Sequence, residues 1–475
     1  MPDALPESTG GGALSLGPLS SPLGAPTSGL STPPWATTAP VGGPVLQCIG
    51  SAGGAKNVED DKPVSIRVSL FYDGTGNNRM NVALGMAQGT DDSTDDSYKA
   101  GYSNVALLES AGLSAKGSGA DLHLTIYTEG IGTVSFGSDS VVWGEGLGIG
   151  DTGVDTRVDS GIEEALSGIL AVAAGRRVNF VHVDTFGFSR GAAAARLCVW
   201  KCMQEKGKTL ADRIKPEVKS LGEVKVKFVG LFDTVASLGV VHKNDTADLH
   251  LDAISVAGKV VQLAAAEEHR KNFRLTNIDS AGSGSQIFLP GVHSDVGGGY
   301  ADFEDEVDYQ LYDIDVPLLV GAPRRAVDRE RAWLVSSGWY ASLEDTNFFN
   351  EVRATRRRIR NTYARIPLQL MAGFARENGV HIDGSLETRN SIRGELATAQ
   401  EKIKAYVDKH KDKRTSAPTD WFNTDTSKDP AWHKALRGKY LHFSACYGTT
   451  VGKNEPEWSS DDPIFGHRKR VIQRG

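Results

Sequence analysis

The chain has 475 residues, of which 40% are hydrophobic, and 52 Lys and Arg against 59 Asp and Glu give a formal net charge of −7. This length and hydrophobic content support a large core with additional segments. The negative charge excludes a general affinity for nucleic acid or for an anionic membrane, so any such contact must be local. Because the N-terminus lacks a basic region followed by an apolar one, we expect synthesis in the cytoplasm without a signal peptide.

Composition and the pattern of apolar residues divide the chain into four predicted segments. Residues 1–60 are dominated by Gly, Pro, Ser, Thr and Ala, which is typical of a flexible tail. Composition alone leaves open whether this tail is simply disordered or docks onto a partner. An α/β core is expected over residues 61–310, a largely helical cap or insertion over 311–435, and a C-terminal segment over 436–475 that returns to the core.

The first predicted strand, Val64–Tyr72, alternates β-branched and polar residues and leads into the loop Asp73–Asn78. Glycine and asparagine at the carboxyl end of a strand allow main-chain N–H groups to face a ligand. We therefore expect Gly74 or Thr75 to supply one donor of an oxyanion hole. The alternative is a tight turn that only caps the strand.

A second strand is predicted at Leu122–Thr128, followed by the glycine-rich segment Gly144–Gly153. Residues 148–153 formally satisfy the dinucleotide pattern G-x-G-x-x-G. Only a short apolar run precedes them, and the acidic residues that follow lie in a predicted helix over Gly161–Ala174, which does not suit a ribose site. We interpret the segment as a flexible rim of an active site.

The most informative motif is the G-x-S-x-G pentapeptide Gly187–Gly191. It lies between an apolar run, Val178–Phe186, and an alanine-rich stretch that favours a helix, and this is the strand–turn–helix context of a nucleophile elbow. Flanking glycines suit a strained turn in which the helix passes close to the strand. Ser189 is therefore the predicted nucleophile, and the N–H of Arg190 the first oxyanion donor.

Neither the cysteines nor the acidic clusters favour a cofactor, and we expect none, with a divalent cation as the alternative. The four cysteines, at 48, 198, 202 and 446, do not indicate a disulfide framework. Cys198 and Cys202 lie four residues apart on the predicted helix after Ser189, which favours core packing over a metal or redox site. Because the acidic clusters lack EF-hand spacing, a divalent cation is not favoured. These clusters are Asp91-Asp92 with Asp95-Asp96, and Asp302 with Glu304, Asp305 and Glu306.

Asp233 follows another predicted strand, which alternates valines with lysines before ending at Phe232. An acid at the end of a strand beyond the nucleophile fits the chain order Ser, Asp, His of an α/β-hydrolase. Asp233 is thus predicted to orient a catalytic histidine, with a turn or helix cap as the alternative.

Two histidines compete for the role of general base. His293 lies in a glycine-rich loop after the predicted strand Gln286–Pro290, where a flexible loop suits an imidazole placed over the serine. His442 lies in the last strand-like segment, 440–444, and α/β-hydrolases often take their histidine from the final strand's loop. Because His442 is inside its apolar run rather than after it, we favour His293 and expect His442 to face the core.

Residues 311–435 have a mostly helical pattern, with a helix expected around Ile366–Met371 and a longer one over Leu386–Lys409. A basic run inside this region is interpreted as a solvated helix face paired with carboxylates, with contact to lipid phosphates as the alternative. The run consists of Arg353, Arg356, Arg357, Arg358, Arg360 and Arg365.

Together these motifs resemble the lipase effectors of the bacterial type VI secretion system, in the class that has an α/β-hydrolase domain and phospholipase A activity. The resemblance covers about residues 64–305. It is carried by Phe71–Asn78, Tyr127–Thr133, Gly187–Gly191, Phe232–Val235 and Gly291–Tyr300. It implies a mostly parallel central sheet flanked by helices, with Ser189, Asp233 and His293 as the catalytic residues.

The resemblance also implies a place of action and partners. The expected protein is an antibacterial toxin exported by the type VI system, acting in the periplasm or membrane of a target cell. Its partners would be membrane phospholipid, a secretion spike protein or adaptor, and a cognate immunity protein. The residues themselves indicate acyl transfer to water. A soluble carboxylesterase and a non-catalytic hydrolase-fold binding protein are the alternatives, and a glycosidase is disfavoured because no carboxylate pair stands out.

Overall fold

The computed structural model divides the chain into two units, Met1–Pro44 and Val45–Gly475. The structure describes residues 62–91, 94–113, 120–139, 153–236, 246–313, 322–343, 351–414, 429–445, 447–448 and 470–475, all of which belong to the second unit. The predicted tail and almost all of the predicted glycine-rich rim therefore lie outside the described residues. None of the helices in these ranges is long and apolar enough to cross a bilayer.

Parallel strands dominate the fold, as the buried apolar runs of the sequence predict. The main sheet has six strands in the order β2-β1-β3-β4-β5-β7, and all its neighbouring pairs are parallel. A second sheet, in the order β10-β8-β9, contains the antiparallel pair β8–β9, and β11 pairs with β6. The strands are β1 (Val64–Tyr72), β2 (Leu122–Thr128), β3 (Arg177–Phe188), β4 (Ser220–Phe232), β5 (Lys259–Ala265), β6 (Leu275–Thr276), β7 (Gly284–Leu289), β8 (Phe303–Asp313), β9 (Glu351–Arg360), β10 (Tyr447–Gly448) and β11 (Ile472–Gln473).

Helices cover both faces of the main sheet. One face packs against α4 and α5, and the opposite face packs against α3, α9, α11 and α12. The helices are α1 (Arg79–Gln88), α2 (Asp96–Lys99), α3 (Asn104–Leu113), α4 (Val154–Ala173), α5 (Arg190–Met203), α6 (Leu210–Ile214), α7 (His293–Gly297), α8 (Ala322–Ser336), α9 (Arg365–Glu377), α10 (Leu386–Arg389), α11 (Glu395–His410) and α12 (Ala431–Lys439).

The strand order reverses at β1, whose neighbours are β2 on one side and β3 on the other. In an open parallel sheet such a switch point opens a crevice beyond the carboxyl ends of the strands, where ligands bind. The loop Asp73–Asn78 and the elbow at Ser189 both lie at this edge, because β1 and β3 are in register up to Tyr72 and Gly187.

The predicted α/β class with a mostly parallel sheet is confirmed, and so are the strands predicted at Val64–Tyr72 and Leu122–Thr128. Two details of the cap region are wrong. The basic run is not on a helix, because five of its six arginines lie in strand β9, which pairs with β8. The helix predicted over Leu386–Lys409 is interrupted between α10, which ends at Arg389, and α11, which begins after Gly394, whose φ of +62° is not helical.

Candidate active site

Ser189 occupies a strained turn between β3 and α5, with φ 59° and ψ −126°. Such a conformation raises the free energy of a non-glycine residue, so it persists only where the surrounding structure enforces it. Here the Ser189 N–H donates to the carbonyl of Phe232 at 3.1 Å, and the Val235 N–H donates to the Ser189 carbonyl at 3.2 Å. The elbow is thus tied to the end of β4.

The glycines of the elbow are required by close main-chain contacts. A Cβ on Gly191 would lie 2.2 Å from the main-chain oxygen of Asp73, and one on Gly187 would lie 2.2 Å from that of Gly191. Real Cβ atoms do not approach main-chain oxygens this closely. The two glycines therefore let α5 start directly against the ends of β1 and β3, as the sequence motif predicts.

Asp233 and His293 form a buried hydrogen-bonded pair. The Nδ1 of His293 lies 2.6 Å from Oδ2 of Asp233, and the residues are 4% and 0% exposed. Asp233 directly follows Phe232, which pairs with Phe188, so it stands beside Ser189 at the edge of the sheet. His293 begins the short helix α7, rather than lying in an irregular loop.

The second imidazole nitrogen of His293 points away from this pair. Its Nε2 is buried and has no hydrogen-bond partner among the described residues, and neither does the Ser189 hydroxyl. Rings of Phe188 and Phe273 lie 4.6 and 4.9 Å from the His293 ring, centroid to centroid. The imidazole is therefore held against the residue that precedes Ser189, with one nitrogen available for a proton.

The loop Asp73–Asn78 lies against the start of α5, since Nε of Arg190 donates to Oγ1 of Thr75 at 2.8 Å. The N–H of Gly74 donates to the Asp73 carboxylate at 2.8 Å. In the described residues the N–H of Thr75 makes no hydrogen bond, and Arg190 occupies the first helical position, where an N–H has no acceptor within its own helix. The geometry thus leaves Thr75 rather than Gly74 as the donor available from this loop.

The sequence does not identify Arg470, whose guanidinium group holds the Asp233 carboxylate. Nη2 of Arg470 donates to both oxygens of Asp233, at 2.7 and 2.9 Å, and the Ala265 N–H donates to Oδ1 at 2.9 Å. Arg470 comes from a position 237 residues further along the chain. No local motif marks an arginine in that segment as part of a site, so only the tertiary structure identifies it.

Glu268, just beyond β5, is a second missed residue. Its carboxylate accepts hydrogen bonds from the main-chain N–H of His293 at 3.3 Å and from the hydroxyl of Ser444 at 3.0 Å. It also forms a bidentate ion pair with Arg270. Burial alone raises its pKa, but the Arg270 guanidinium outweighs this and holds the pKa of Glu268 well below its usual range. Glu268 therefore carries a fixed negative charge at the start of α7.

His442, the rival histidine, is buried in a separate pair. Its Nδ1 lies 2.7 Å from Oδ1 of Asp295, and its ring stacks on Tyr300 at 3.7 Å between centroids. Burial raises the pKa of Asp295, and the nearby imidazole opposes this. The segment around His442 is an irregular buried stretch and not the predicted strand-like one.

Neither the cysteines nor the acidic clusters form an evident metal site in the described residues, which contain no group of three or more His, Cys, Asp or Glu suited to an ion. The Sγ atoms of Cys198 and Cys202 lie 3.7 Å apart on α5, and both are buried. In the second acidic cluster, Glu306 is paired with Arg356 and Asp305 with Arg357.

Comparison with known proteins identifies the family that the motifs resemble. Residues 200–320 match the family model described as "T6SS, Phospholipase effector Tle1-like, catalytic domain". This range contains Asp233 and His293, and Ser189 lies shortly before it. The resemblance to type VI lipase effectors is thereby confirmed. No curated protein matches the chain.

Two solved structures are similar to the chain. One is the Tle1 effector bound to the VgrG spike of the type 6 secretion system, which is 22% identical, covers 90% of this chain and 99% of its own, and has a TM-score of 0.58. The other is an uncharacterized protein from Pseudomonas aeruginosa, 20% identical over 76% of this chain and 52% of its own, with a TM-score of 0.44. The first similarity shows a shared fold along almost the whole chain.

Proposed function

We propose that the protein is a type VI secretion effector that hydrolyses acyl esters of membrane phospholipids by a Ser-His-Asp mechanism. The observation that carries this proposal is the buried His293–Asp233 pair beside a strained serine elbow, in which Nε2 of the imidazole has no hydrogen-bond partner among the described residues. The family match over residues 200–320 supports a phospholipid as the substrate.

The geometry assigns the proton transfers. Because Nδ1 of His293 donates to Asp233, its Nε2 is the basic nitrogen. Nε2 takes the proton of the Ser189 hydroxyl as the oxygen attacks the ester carbonyl, and the tetrahedral adduct then expels the lysolipid alkoxide, which receives this proton. Water attacks the acyl-enzyme and gives its proton to Nε2. Collapse releases the fatty acid and returns the proton to Ser189.

The oxyanion would be held by the N–H of Arg190 and an N–H of the loop Asp73–Asn78. Of the two predicted loop donors, Thr75 is favoured over Gly74, whose N–H already donates to Asp73. Loss of one such donor typically costs about 2.7–4 kcal/mol of transition-state stabilisation. The contact between Arg190 and Thr75 would keep both donors on one side of the Ser189 oxygen.

A surface on strands β8 and β9 supports a membrane substrate over a small soluble ester. Phe303 is 45% exposed, and the guanidinium carbons of Arg358 and Arg360 lie 4.2 and 6.0 Å from the centre of its ring. Both arginines are exposed, and the main-chain N–H of Arg358 donates to the Asp305 carboxylate at 2.7 Å. The Arg358 cation also helps to lower the pKa of Asp305, so its charge is partly offset. An exposed aromatic ring beside two exposed guanidinium groups suits the interface of an anionic membrane.

The decisive experiment compares wild type with Ser189→Ala on phospholipid vesicles, with mass spectrometry of the released fatty acid and lysolipid. Wild type should release both products, and the variant should remain folded without releasing either. With vesicles of a phospholipid whose two acyl chains differ, the masses of the lysolipid and the fatty acid also distinguish A1 from A2 cleavage. Equal hydrolysis by the purified variant would refute the mechanism, and hydrolysis of small esters but not of vesicles would favour a soluble carboxylesterase.

The effector role needs a separate test. The similar Tle1 structure is described as bound to the VgrG spike, and we propose that this chain is also carried by a spike protein or its adaptor. Co-purification of the full chain with the spike protein of its own genome should recover a complex. Expression directed to the bacterial periplasm should be toxic only with Ser189 intact, and a cognate immunity protein should suppress the toxicity. Toxicity independent of Ser189 would favour the non-catalytic binding protein.

A further inference from the structure

We propose that Arg470 is a positioning residue for the Asp233–His293 pair, so that residues 470–475 are a working part of the active site. This inference rests on the proposed function and adds a residue to it. Arg470 does not contact the reacting atoms. It would act by fixing Asp233, which in turn orients the imidazole.

The contacts of Arg470 fix the plane of its guanidinium group. Nη2 bridges both carboxylate oxygens of Asp233, and Nη1 donates to the main-chain carbonyls of Glu268 and Phe273. The Arg470 side chain is 1% exposed, so water does not compete for these contacts. A planar group held at both nitrogens leaves the carboxylate little freedom to rotate.

The guanidinium group also joins the elements that surround His293. Phe273 accepts a hydrogen bond from Arg470, and its ring lies edge-on against the His293 ring. Glu268 accepts a hydrogen bond from Arg470 through its carbonyl and one from the His293 N–H through its carboxylate. Movement of Arg470 would therefore disturb the acid and both supports of the imidazole together.

A small parallel ladder anchors Arg470. Strand β11 pairs with β6, where the Leu275 N–H donates to the Val471 carbonyl and the Asn277 N–H donates to the Gln473 carbonyl, each at 2.9 Å. The Gly475 N–H donates to the Asn277 side chain at 2.9 Å. Because β6 follows Phe273 closely, this ladder holds Arg470 and one of its acceptors in a single rigid unit.

Arg470 also supplies a charge. Asp233 is fully buried, and a buried carboxylate that loses its cationic partner is strongly destabilising. The Arg470 guanidinium, 2.7 Å from Oδ1 of Asp233, is such a partner. Arg470→Met would therefore remove both the charge and the hydrogen-bond donors, whereas Arg470→Lys would remove only the planar donor geometry.

The test uses Arg470→Met and Arg470→Lys in the full chain, with Arg474→Met as the matched control. Arg474 is in the same segment and is exposed. On vesicles, Arg470→Met should lower kcat by about 100-fold with little change in KM, because a small misplacement of a catalytic group costs this much. Arg470→Lys should also lower kcat, by a smaller factor, since it keeps the charge but not the planar fork. Arg474→Met should match wild type in both kcat and KM.

A purely structural role would reduce the amount of folded enzyme and leave the kcat of the folded fraction unchanged. Wild-type kcat in the folded Arg470→Lys or the folded Arg470→Met protein would overturn the proposal. If Arg470→Met does not fold, the kcat of Arg470→Lys decides between the outcomes.

A second measurement separates this proposal from the proposed function. The proton between Nδ1 of His293 and Asp233 should give a low-field proton NMR resonance that disappears in His293→Asn. In Arg470→Lys the resonance should shift or broaden, whereas Arg474→Met should leave it in place. An unchanged resonance in Arg470→Lys refutes the positioning role. This result does not depend on hydrolysis, so a wild type without Ser189-dependent activity would refute only the proposed function.

Discussion

Replacing Ser189 by glycine should stabilise the protein relative to replacing it by alanine. At φ 59° and ψ −126° a residue with a Cβ is strained, whereas glycine is not. Such strain costs about 1–3 kcal/mol. The greater freedom of glycine in the unfolded chain offsets roughly 0.5–1 kcal/mol of this gain. We therefore expect Ser189→Gly to exceed Ser189→Ala in free energy of unfolding by up to about 2.5 kcal/mol, with a central value of about 1 kcal/mol. Neither variant should hydrolyse lipid.

Urea unfolding followed by tryptophan fluorescence measures this difference. The matched control is Ser167, an exposed residue in the interior of α4. There the order should reverse, with glycine about 1 kcal/mol less stable than alanine, because glycine is unfavourable inside a helix. If Ser189→Gly were no more stable than Ser189→Ala while the Ser167 pair behaved as expected, the elbow would not be strained and the argument for an enforced serine conformation would be wrong.

Three further outcomes follow from the structure. Gly191→Ala should lower vesicle hydrolysis by about 100-fold, because its Cβ would lie 2.2 Å from a main-chain oxygen and displace the elbow. Circular dichroism should show that the variant is still folded. The double variant Arg358→Glu, Arg360→Glu should bind anionic vesicles at least 30-fold more weakly in a flotation assay, at about 1 kcal/mol per lost cation, with unchanged hydrolysis of a soluble ester. Burial raises the pKa of Glu267, but the Arg437 guanidinium and the other partners of this carboxylate outweigh burial, so its pKa falls from 4.5 to about 2. The ionised carboxylate therefore stabilises the fold above pH 4.5, and this stabilisation is lost as the pH falls toward 2. Glu267→Gln should therefore be less stable than wild type at pH 7, by on the order of 3 kcal/mol in urea unfolding, and a gap that did not narrow below pH 4.5 would contradict this.

The central sheet was predictable because its strands contain continuous or alternating apolar runs that are followed by loop-forming residues. β1 and β2 have the predicted bounds, and β3 extends only a residue or two beyond its apolar run. Strand β9 was not predictable in the same way, because its arginines obscure the alternation that marks a strand. Arg356 is buried there and pairs with Glu306, and the register shifts beside it at Arg358, where φ is +58°.

Sequence order identified Asp233 and His293 as partners because the carboxyl ends of parallel strands share one edge of the sheet. It could not identify Arg470 or Glu268, whose roles depend on segments that meet only after folding. An arginine just before the two-residue strand β11 and a glutamate after β5 have no periodicity or motif that distinguishes them from solvated charges. Their burial and their hydrogen bonds are what mark them.

The two buried histidine–aspartate pairs distinguish His293, the proposed base, from His442. Both pairs involve α7, since His293 begins this helix and Asp295, the partner of His442, lies two residues later. Residues two apart on a helix project in different directions, so the His293 imidazole and the His442 imidazole lie on different sides of α7. His293 packs against Phe188, immediately before Ser189, whereas His442 stacks on Tyr300. The position of each aspartate relative to the elbow, and not the burial of the histidine, therefore selects His293 as the proposed base.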